Sequence, residues 1–215
     1  MTKILIIGGT GYAGSFIAAE AKRRQHEVTV LSRSHAQEQI QGVHYVESSA
    51  ADSELRSRLI QDADIVIGAI SPRGEMAGKT KPLYMDIARD AATHHTRFIS
   101  IGGFSSLRPA IGQPRFFESG NVLPEYLAEA VEMAETFDSL KAEGPENLDW
   151  VFISPAAVFG AYADIPDYHT YRSSNDIALF DENNESKISG ADFALAVMDE
   201  AEQNKHNQEN ISFVH

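Results

Sequence analysis

Residues 8–14 read GGTGYAG and place glycines at positions 8, 9, 11 and 14. A short apolar run, residues 3–7 (KILII), precedes this loop, and residues 12–25, with apolar side chains on one helical face, follow it. Between a strand and a helix, glycines permit a tight turn and leave no Cβ where a pyrophosphate must approach. The helix amino terminus then offers free N–H groups and a partial positive charge to the phosphates. The loop therefore predicts a dinucleotide site, against the alternative of a glycine-rich turn that holds no ligand.

The end of the second apolar run predicts which dinucleotide is bound. Sites that hold an adenosine ribose diol use an acidic residue about twenty positions after the glycines. Here the run at residues 27–31 leads into Ser32, Arg33 and Ser34 instead. A planar guanidinium can clamp a ribose 2′-phosphate and stack on adenine. We therefore expect NADP to be favoured over NAD, against the alternative that Arg33 is a solvated loop residue and either cofactor binds.

Short apolar runs alternate with amphipathic stretches along the chain. The runs are residues 3–7, 27–31, 43–46, 64–70, 97–101 and 149–154, and the helical stretches are residues 12–25, 53–60, 81–95 and 124–143. This alternation is typical of βαβ units. Because crossovers between parallel strands are right-handed, it predicts an α/β fold with a doubly wound, mostly parallel Rossmann sheet in the order 3-2-1-4-5-6 and helices on both faces. A helix from about residue 190 and a short last strand (ISFV) complete the prediction.

Length, charge and composition bound the domain organisation and the partners. A chain of 215 residues with 43% apolar content predicts one domain, residues 1–215, in which residues 156–189 or so form an excursion over the site. The net charge of −13 argues against nucleic acid and membrane surfaces as main partners. The chain has no cysteine, which excludes thiolate ligands and nucleophiles, and no other metal site is evident. We expect a cytoplasmic protein and leave a homodimer or a regulatory protein partner open.

The loops that follow the strands supply the candidate site residues, because doubly wound sheets bind ligands outside the carboxyl ends of their strands. The predicted cofactor-binding residues are Gly8, Thr10, Gly11, Tyr12, Gly14, Arg33, Ala69, Ile70, Ser100, Gly102, Ser154, Pro155 and Ala156. Arg73 is a further candidate cation. An apolar lid over a flat ring could come from Phe104, Phe116, Phe117 and Phe159, although such residues more often fill a core.

The chain resembles the extended and atypical short-chain dehydrogenase/reductase superfamily, whose dinucleotide motif corresponds to GGTGYAG. More specifically, it is similar to the compact NADH-flavin reductase-like and NmrA-like proteins and to biliverdin-IXβ/flavin reductase. The stretches that carry this resemblance are IGGFSSL, PEYLAEA, LDWVFISPAAVFG, TYRSSNDIALFDENNESKIS and ADFALAVMDEAE. The resemblance implies a Rossmann fold, an NAD(P)H cofactor, and an active-site serine region near Ser100 and Gly102.

The candidate catalytic residues are Ser105 and Tyr126, and neither completes the superfamily's typical Tyr-x-x-x-Lys pair because Ala130 stands four residues after Tyr126. Ser105 is alternatively an ordinary turn serine, and Tyr126 alternatively begins a core stripe that continues through Ala130 and Met133. Reduction of a simple ketone needs a positioned acid, whereas a flavin or quinone delocalises the charge it receives. We therefore expect an NADPH-dependent reductase of a small planar acceptor. The alternative is an NADP(H)-sensing regulator of NmrA type that turns nothing over.

Overall fold

A computed structural model describes residues 1–120 and 122–215, and eight strands within this part of the chain form one sheet in the order β3-β2-β1-β4-β5-β6-β8-β7. The strands are β1 (Lys3–Ile7), β2 (Glu27–Ser32), β3 (His44–Glu47), β4 (Ile65–Gly68), β5 (Arg97–Ile101), β6 (Trp150–Ser154), β7 (Arg172–Asn175) and β8 (Glu209–Val214). The helices are α1 (Tyr12–Arg23), α2 (Ser53–Gln61), α3 (Thr80–His94), α4 (Pro124–Glu143) and α5 (Gly190–Gln203). The predicted α/β class and the predicted order 3-2-1-4-5-6 are confirmed.

The sheet is parallel except at its last edge. β1 lies at the centre between β2 and β4, β8 adds a further parallel strand beside β6, and β7 pairs with β8 in antiparallel register. β7 falls within the predicted excursion over the site, and the structure places it at this far edge of the sheet. Because the other strands run the same way, their carboxyl ends and the loops that follow them meet along one edge.

Helices cover both faces of the sheet, which explains why the central strands β1, β4, β5 and β6 are buried almost throughout. Ile4 and Ile6 of β1 point into a core shared with α1 and α5, while Leu5 and Ile7 point into a second core shared with α3 and α4. All four side chains are buried. No helix in the described residues is long and apolar enough to cross a membrane.

Tyr84 of α3 holds the carboxyl ends of the central strands in place. Its hydroxyl donates to the carbonyl of Gly68 at 2.7 Å and accepts from the backbone N–H of Ile70 at 3.0 Å. The side chain is fully buried, and that burial raises its pKa well above the ordinary tyrosine value. The hydroxyl therefore ends β4 at Gly68, two residues before the predicted end of this strand, and turns Ala69 and Ile70 into the loop.

Replacing Tyr84 with phenylalanine should lower the free energy of unfolding by about 1–3 kcal/mol, because the buried Ile70 N–H and Gly68 carbonyl lose their hydroxyl partner. Urea unfolding of Tyr84→Phe against the wild type measures this loss. The matched control is Tyr168→Phe, whose ring is 54% exposed and whose change should stay within about 0.5 kcal/mol. Equal unfolding midpoints for the two variants would contradict this role of Tyr84.

Candidate functional site

The glycine loop after β1 is packed against the end of β4 by backbone contacts that no side chain could share. Gly8 has a φ of +89°, and a Cβ on it would lie 2.5 Å from the carbonyl oxygen of Ala69. A Cβ on Gly14 would lie 2.4 Å from the carbonyl oxygen of Gly8. These two glycines therefore build the loop, and the first turn of α1 approaches β1 more closely than any other residue type would allow.

Gly11 has a different position, at the open side of the same loop. It is exposed and is the N-cap of α1, where it has no side chain to accept from the first-turn N–H groups. Its own Cβ would meet a single atom, the carbonyl oxygen of Gly8, at 3.4 Å. The amino terminus of α1 thus presents unsatisfied N–H donors and an uncovered approach to an anion, which fits a pyrophosphate.

The glycine loop is also tied to the end of β2, where the sequence predicts the 2′-phosphate site. The backbone N–H of Thr10 donates to Ser32 Oγ at 3.2 Å, and the hydroxyls of Thr10 and Ser34 lie 3.2 Å apart. Arg33 stands between these two serines with its side chain 48% exposed. The three polar residues at the end of β2 therefore lie beside the glycine loop, as the spacing predicts.

A cleft of about 1730 Å³ runs along the carboxyl edge of the sheet. This volume exceeds the roughly 300–1,000 Å³ of sites for drug-sized ligands, so the cleft has room for a dinucleotide and a second ring system. The predicted site residues that line it are Gly8, Thr10, Gly11, Tyr12, Arg33, Ala69, Ile70, Gly102, Ser105, Tyr126, Pro155 and Ala156. We call the part beside Arg33 the β2 end of the cleft and the part beside Tyr126 the α4 end.

Three of the predicted cofactor-binding residues, Gly14, Ser100 and Ser154, do not line the cleft, and Gly14 instead packs against the Gly8 backbone. Ser100 and Ser154 are fully buried and lie behind the cleft wall. Each side chain stands on a strand residue that points into the protein, and Ser154 Oγ donates to Asn210 Oδ1 at 2.8 Å. Because side chains alternate along a strand, these two serines face the interior and do not reach the cleft.

At the α4 end, Tyr126 does not belong to the core. Its side chain is 51% exposed and lines the cleft, whereas Ala130 and Met133, further along the same stripe, are 8% and 4% exposed. The alternative that Tyr126 begins a core stripe therefore does not hold at this position, because the stripe is buried only from Ala130 onward. Ser105, partly exposed in the short 3-10 helix Phe104–Ser106, lines the same cleft. Their catalytic roles stay predictions.

Aromatic rings form much of the apolar wall. The centroids of Phe104 and Phe116 lie 4.7 Å apart at the α4 end. Near the glycine loop, Tyr12 packs edge-on against Phe159 at 5.1 Å, and partial burial raises its pKa. Of the four predicted lid residues, Phe104, Phe116 and Phe159 line the cleft and Phe117 does not. The start of the predicted excursion, including Ala156 and Phe159, thus contributes to the cleft.

The sequence analysis missed the carboxylates that lie across the cleft. Arg33 Nη1 lies 2.9 Å from Glu75 Oε2, and Arg73 Nε lies 2.6 Å from Glu129 Oε2. The hydrogen bond that Arg73 donates to Glu129 raises the pKa of Arg73. A signal existed for both: Glu75 lies two residues after Arg73 in the loop that follows β4, and Glu129 lies three residues after Tyr126, on the same helical face.

A buried polar network behind the α4 end was also missed. Arg115 is 6% exposed, and its Nη1 donates to the carbonyl of Ser106 and to Asp176 Oδ1. Asn210 of β8 donates to the same two groups, at 3.2 Å and 3.0 Å. The network joins segments that are up to 104 residues apart, and it fixes the loop that carries Phe104 and Ser105. Among the described residues, no group of three or more His, Cys, Asp or Glu side chains could hold a metal ion.

Comparison with known proteins agrees with this geometry. Residues 8–203 match the NAD(P)H-binding family, and the chain belongs to it. It is 32% identical to uncharacterized protein YwnB of Bacillus subtilis (strain 168) over 216 residues, which cover 99% of this chain and 98% of that protein.

Two solved structures are similar over nearly their whole length. SP1627 of Streptococcus pneumoniae TIGR4, a candidate NADH-flavin reductase, is 29% identical with a TM-score of 0.85 and covers 100% of both chains. A candidate epimerase of Bacteroides thetaiotaomicron is 28% identical with a TM-score of 0.87, covering 100% of this chain and 97% of that one. The chain is an atypical short-chain dehydrogenase/reductase of the NmrA-like group, as its sequence predicts, and its cofactor is a nicotinamide dinucleotide.

Substitution of Gly11 by alanine should weaken NADH and NADPH binding while leaving the fold intact. The new Cβ has space in the protein but projects where the pyrophosphate approaches. Crowding between this Cβ and the bound pyrophosphate should cost about 1–3 kcal/mol, which corresponds to a roughly five- to hundred-fold rise in Kd. Calorimetric titration gives the Kd values, and a thermal melt checks stability. The matched variant is Gly14→Ala, which should lower Tm because its Cβ clashes with the Gly8 backbone. Unchanged cofactor affinity in Gly11→Ala would contradict the placement of the pyrophosphate.

Proposed function

We propose that the protein is an NADPH-dependent reductase that passes a hydride to a small planar acceptor, a flavin or a quinone. The observation that carries this proposal is the α4 end of the cleft, where the aromatic rings of Phe104 and Phe116 lie beside a space that Tyr126 also lines, with no lysine four residues beyond that tyrosine. A site of this kind suits an acceptor that spreads the charge over a ring.

The β2 end and the glycine loop would hold the cofactor. The N–H groups at the start of α1 would take the pyrophosphate, and Arg33, flanked by Ser32 and Ser34, would take the 2′-phosphate. The guanidinium is 48% exposed and pairs with the highly exposed Glu75, so a phosphate could replace that carboxylate at little cost. NADP over NAD is therefore the preference that we propose.

The α4 end would receive the acceptor. The bound nicotinamide would supply two electrons as a hydride, and one proton from solvent completes the reduction of a quinone or flavin. Phe104, Phe116 and the buried Met133 offer flat apolar contacts to a ring. Ser105 and Tyr126 carry hydroxyls into the same space, where either can donate a hydrogen bond to an acceptor carbonyl. Positioning of this kind lowers the barrier to hydride transfer without a dedicated general acid.

The proposed partners and location follow from the same reaction. A small molecule is the expected partner, and the net charge of −13 disfavours nucleic acid and anionic membranes. A homodimer stays compatible with the proposal. A cytoplasmic location is proposed because the reaction draws on a reduced nicotinamide pool, and cell fractionation tests it.

The first test is the oxidation of NADPH by purified protein with FMN or a small quinone as acceptor, followed as loss of nicotinamide absorbance. Turnover that needs both protein and acceptor and that prefers NADPH to NADH is expected. In Arg33→Ala the preference should fall by roughly ten- to a hundred-fold, since charge-assisted hydrogen bonds contribute about 1.5–3 kcal/mol. Matched reactions with NADH and without protein are the controls.

Two results would contradict the proposal. Saturable NADPH binding without turnover for any acceptor would favour an NADP(H)-sensing regulator of NmrA type, and a protein partner would then be sought. A conversion without net NADPH consumption, such as epimerisation of a sugar nucleotide, would favour an isomerase.

A further inference from the structure

The segment that crosses the cleft, residues 73–79, carries charges toward both of its ends. It contains the 3-10 helix Gly74–Met76. Two glycines of the segment have a positive φ, which is +57° at Gly74 and +73° at Gly78. At the α4 end, Arg73 pairs with Glu129. At the β2 end, Glu75 pairs with Arg33. We call this segment the strap.

The charged residues of the cleft are few and mostly paired. Within the described residues that line it, the charged side chains are Arg33, Arg73, Lys79, Glu75 and Glu129. Glu129 is 25% exposed and already binds Arg73, so its negative charge is held at the α4 end. Of the two carboxylates among these five charged side chains, Glu75 is therefore the one that faces the β2 end.

Glu75 and a 2′-phosphate would need the same guanidinium. The Glu75 carboxylate lies 2.9 Å from Arg33 Nη1, in the position that a phosphate oxygen would take to be clamped by Arg33. A dianionic 2′-phosphate must displace this carboxylate to reach the guanidinium, whereas a 2′-hydroxyl has no such requirement. Glu75 therefore opposes the binding of a phosphorylated ribose much more than that of an unphosphorylated one.

The strength of this opposition is limited by exposure. Glu75 is 86% exposed and Arg33 is 48% exposed, so the pair lies in high dielectric and is worth little by itself. Loss of the pair should leave the fold unchanged. It should alter only the competition for Arg33, by an amount that a binding titration can resolve.

We propose that Glu75 is a specificity-determining residue, which narrows the preference for NADPH over NADH by competing with the 2′-phosphate for Arg33. This inference rests on the proposed function, since it takes the β2 end as the site of the adenosine ribose. The strap then contributes to the selectivity between NADPH and NADH, independently of any contact with the acceptor.

The test is a double-mutant cycle on cofactor affinity. Kd values for NADPH and for NADH are measured by calorimetry at one ionic strength, for the wild type, Glu75→Gln, Arg33→Ala and the double variant. Glu75→Gln should tighten NADPH binding about two- to five-fold and leave NADH within about 1.5-fold, because an exposed pair contributes about 0.2–1 kcal/mol. In the Arg33→Ala background the same change should leave the NADPH-to-NADH ratio unaltered.

Glu38→Gln is the matched control, since Glu38 is exposed, lies in the loop after β2 and does not line the cleft. It removes the same charge and should not change the ratio. An unaltered ratio in Glu75→Gln, or a gain that persists without Arg33, would overturn the inference while leaving NAD(P)H binding in place. A wild type that binds neither nucleotide would overturn both the inference and the proposed function.

Discussion

The close backbone packing of the β1–α1 turn against the end of β4 is the constraint on which the rest of the site depends. Gly8 reaches Ala69, and Gly14 reaches Gly8, at distances that exclude a Cβ at either glycine. Because the turn is so compact, the amino terminus of α1 opens directly onto the carboxyl edge of the sheet. Tyr84 holds the neighbouring loop from below through Gly68 and Ile70. The anion site is thus a property of the fold's centre and needs no dedicated basic side chain.

The charge distribution complements this backbone site. The protein carries a net charge of −13, yet three of the five charged side chains that line the cleft are cations. Two of these cations are paired with carboxylates: Arg33 with the highly exposed Glu75, and Arg73 with Glu129, which is 25% exposed. A phosphate can replace the exposed Arg33–Glu75 pair at little cost. Selectivity then depends on how strongly each carboxylate competes for its arginine.

Prediction from sequence succeeded where the evidence was local. The strand runs and the glycine loop are each read within a few consecutive residues, and periodicity and turn chemistry determine them directly. The sequence did not predict the side-chain direction of Ser100 and Ser154. Whether a residue near the end of a strand faces the protein interior or the cleft depends on where the strand stops. The sequence also left two positions open for Tyr126, a site residue or the start of a core stripe, because helical periodicity does not show how far along the helix burial extends; the structure places its side chain in the cleft. Glu75 and the Arg115–Asp176–Asn210 network needed contacts between distant segments.

The central claim is that a nicotinamide dinucleotide lies along the carboxyl edge of the sheet, from Arg33 to the loops after β5 and β6. Amide hydrogen exchange of the protein with and without saturating NADPH tests it most directly. The account predicts slower exchange in residues 8–15, 31–34, 69–73, 101–106 and 155–160, and unchanged exchange in the loops at the opposite edge, residues 144–148 and 204–208. Slower exchange at that opposite edge, or none at the glycine loop, would contradict it.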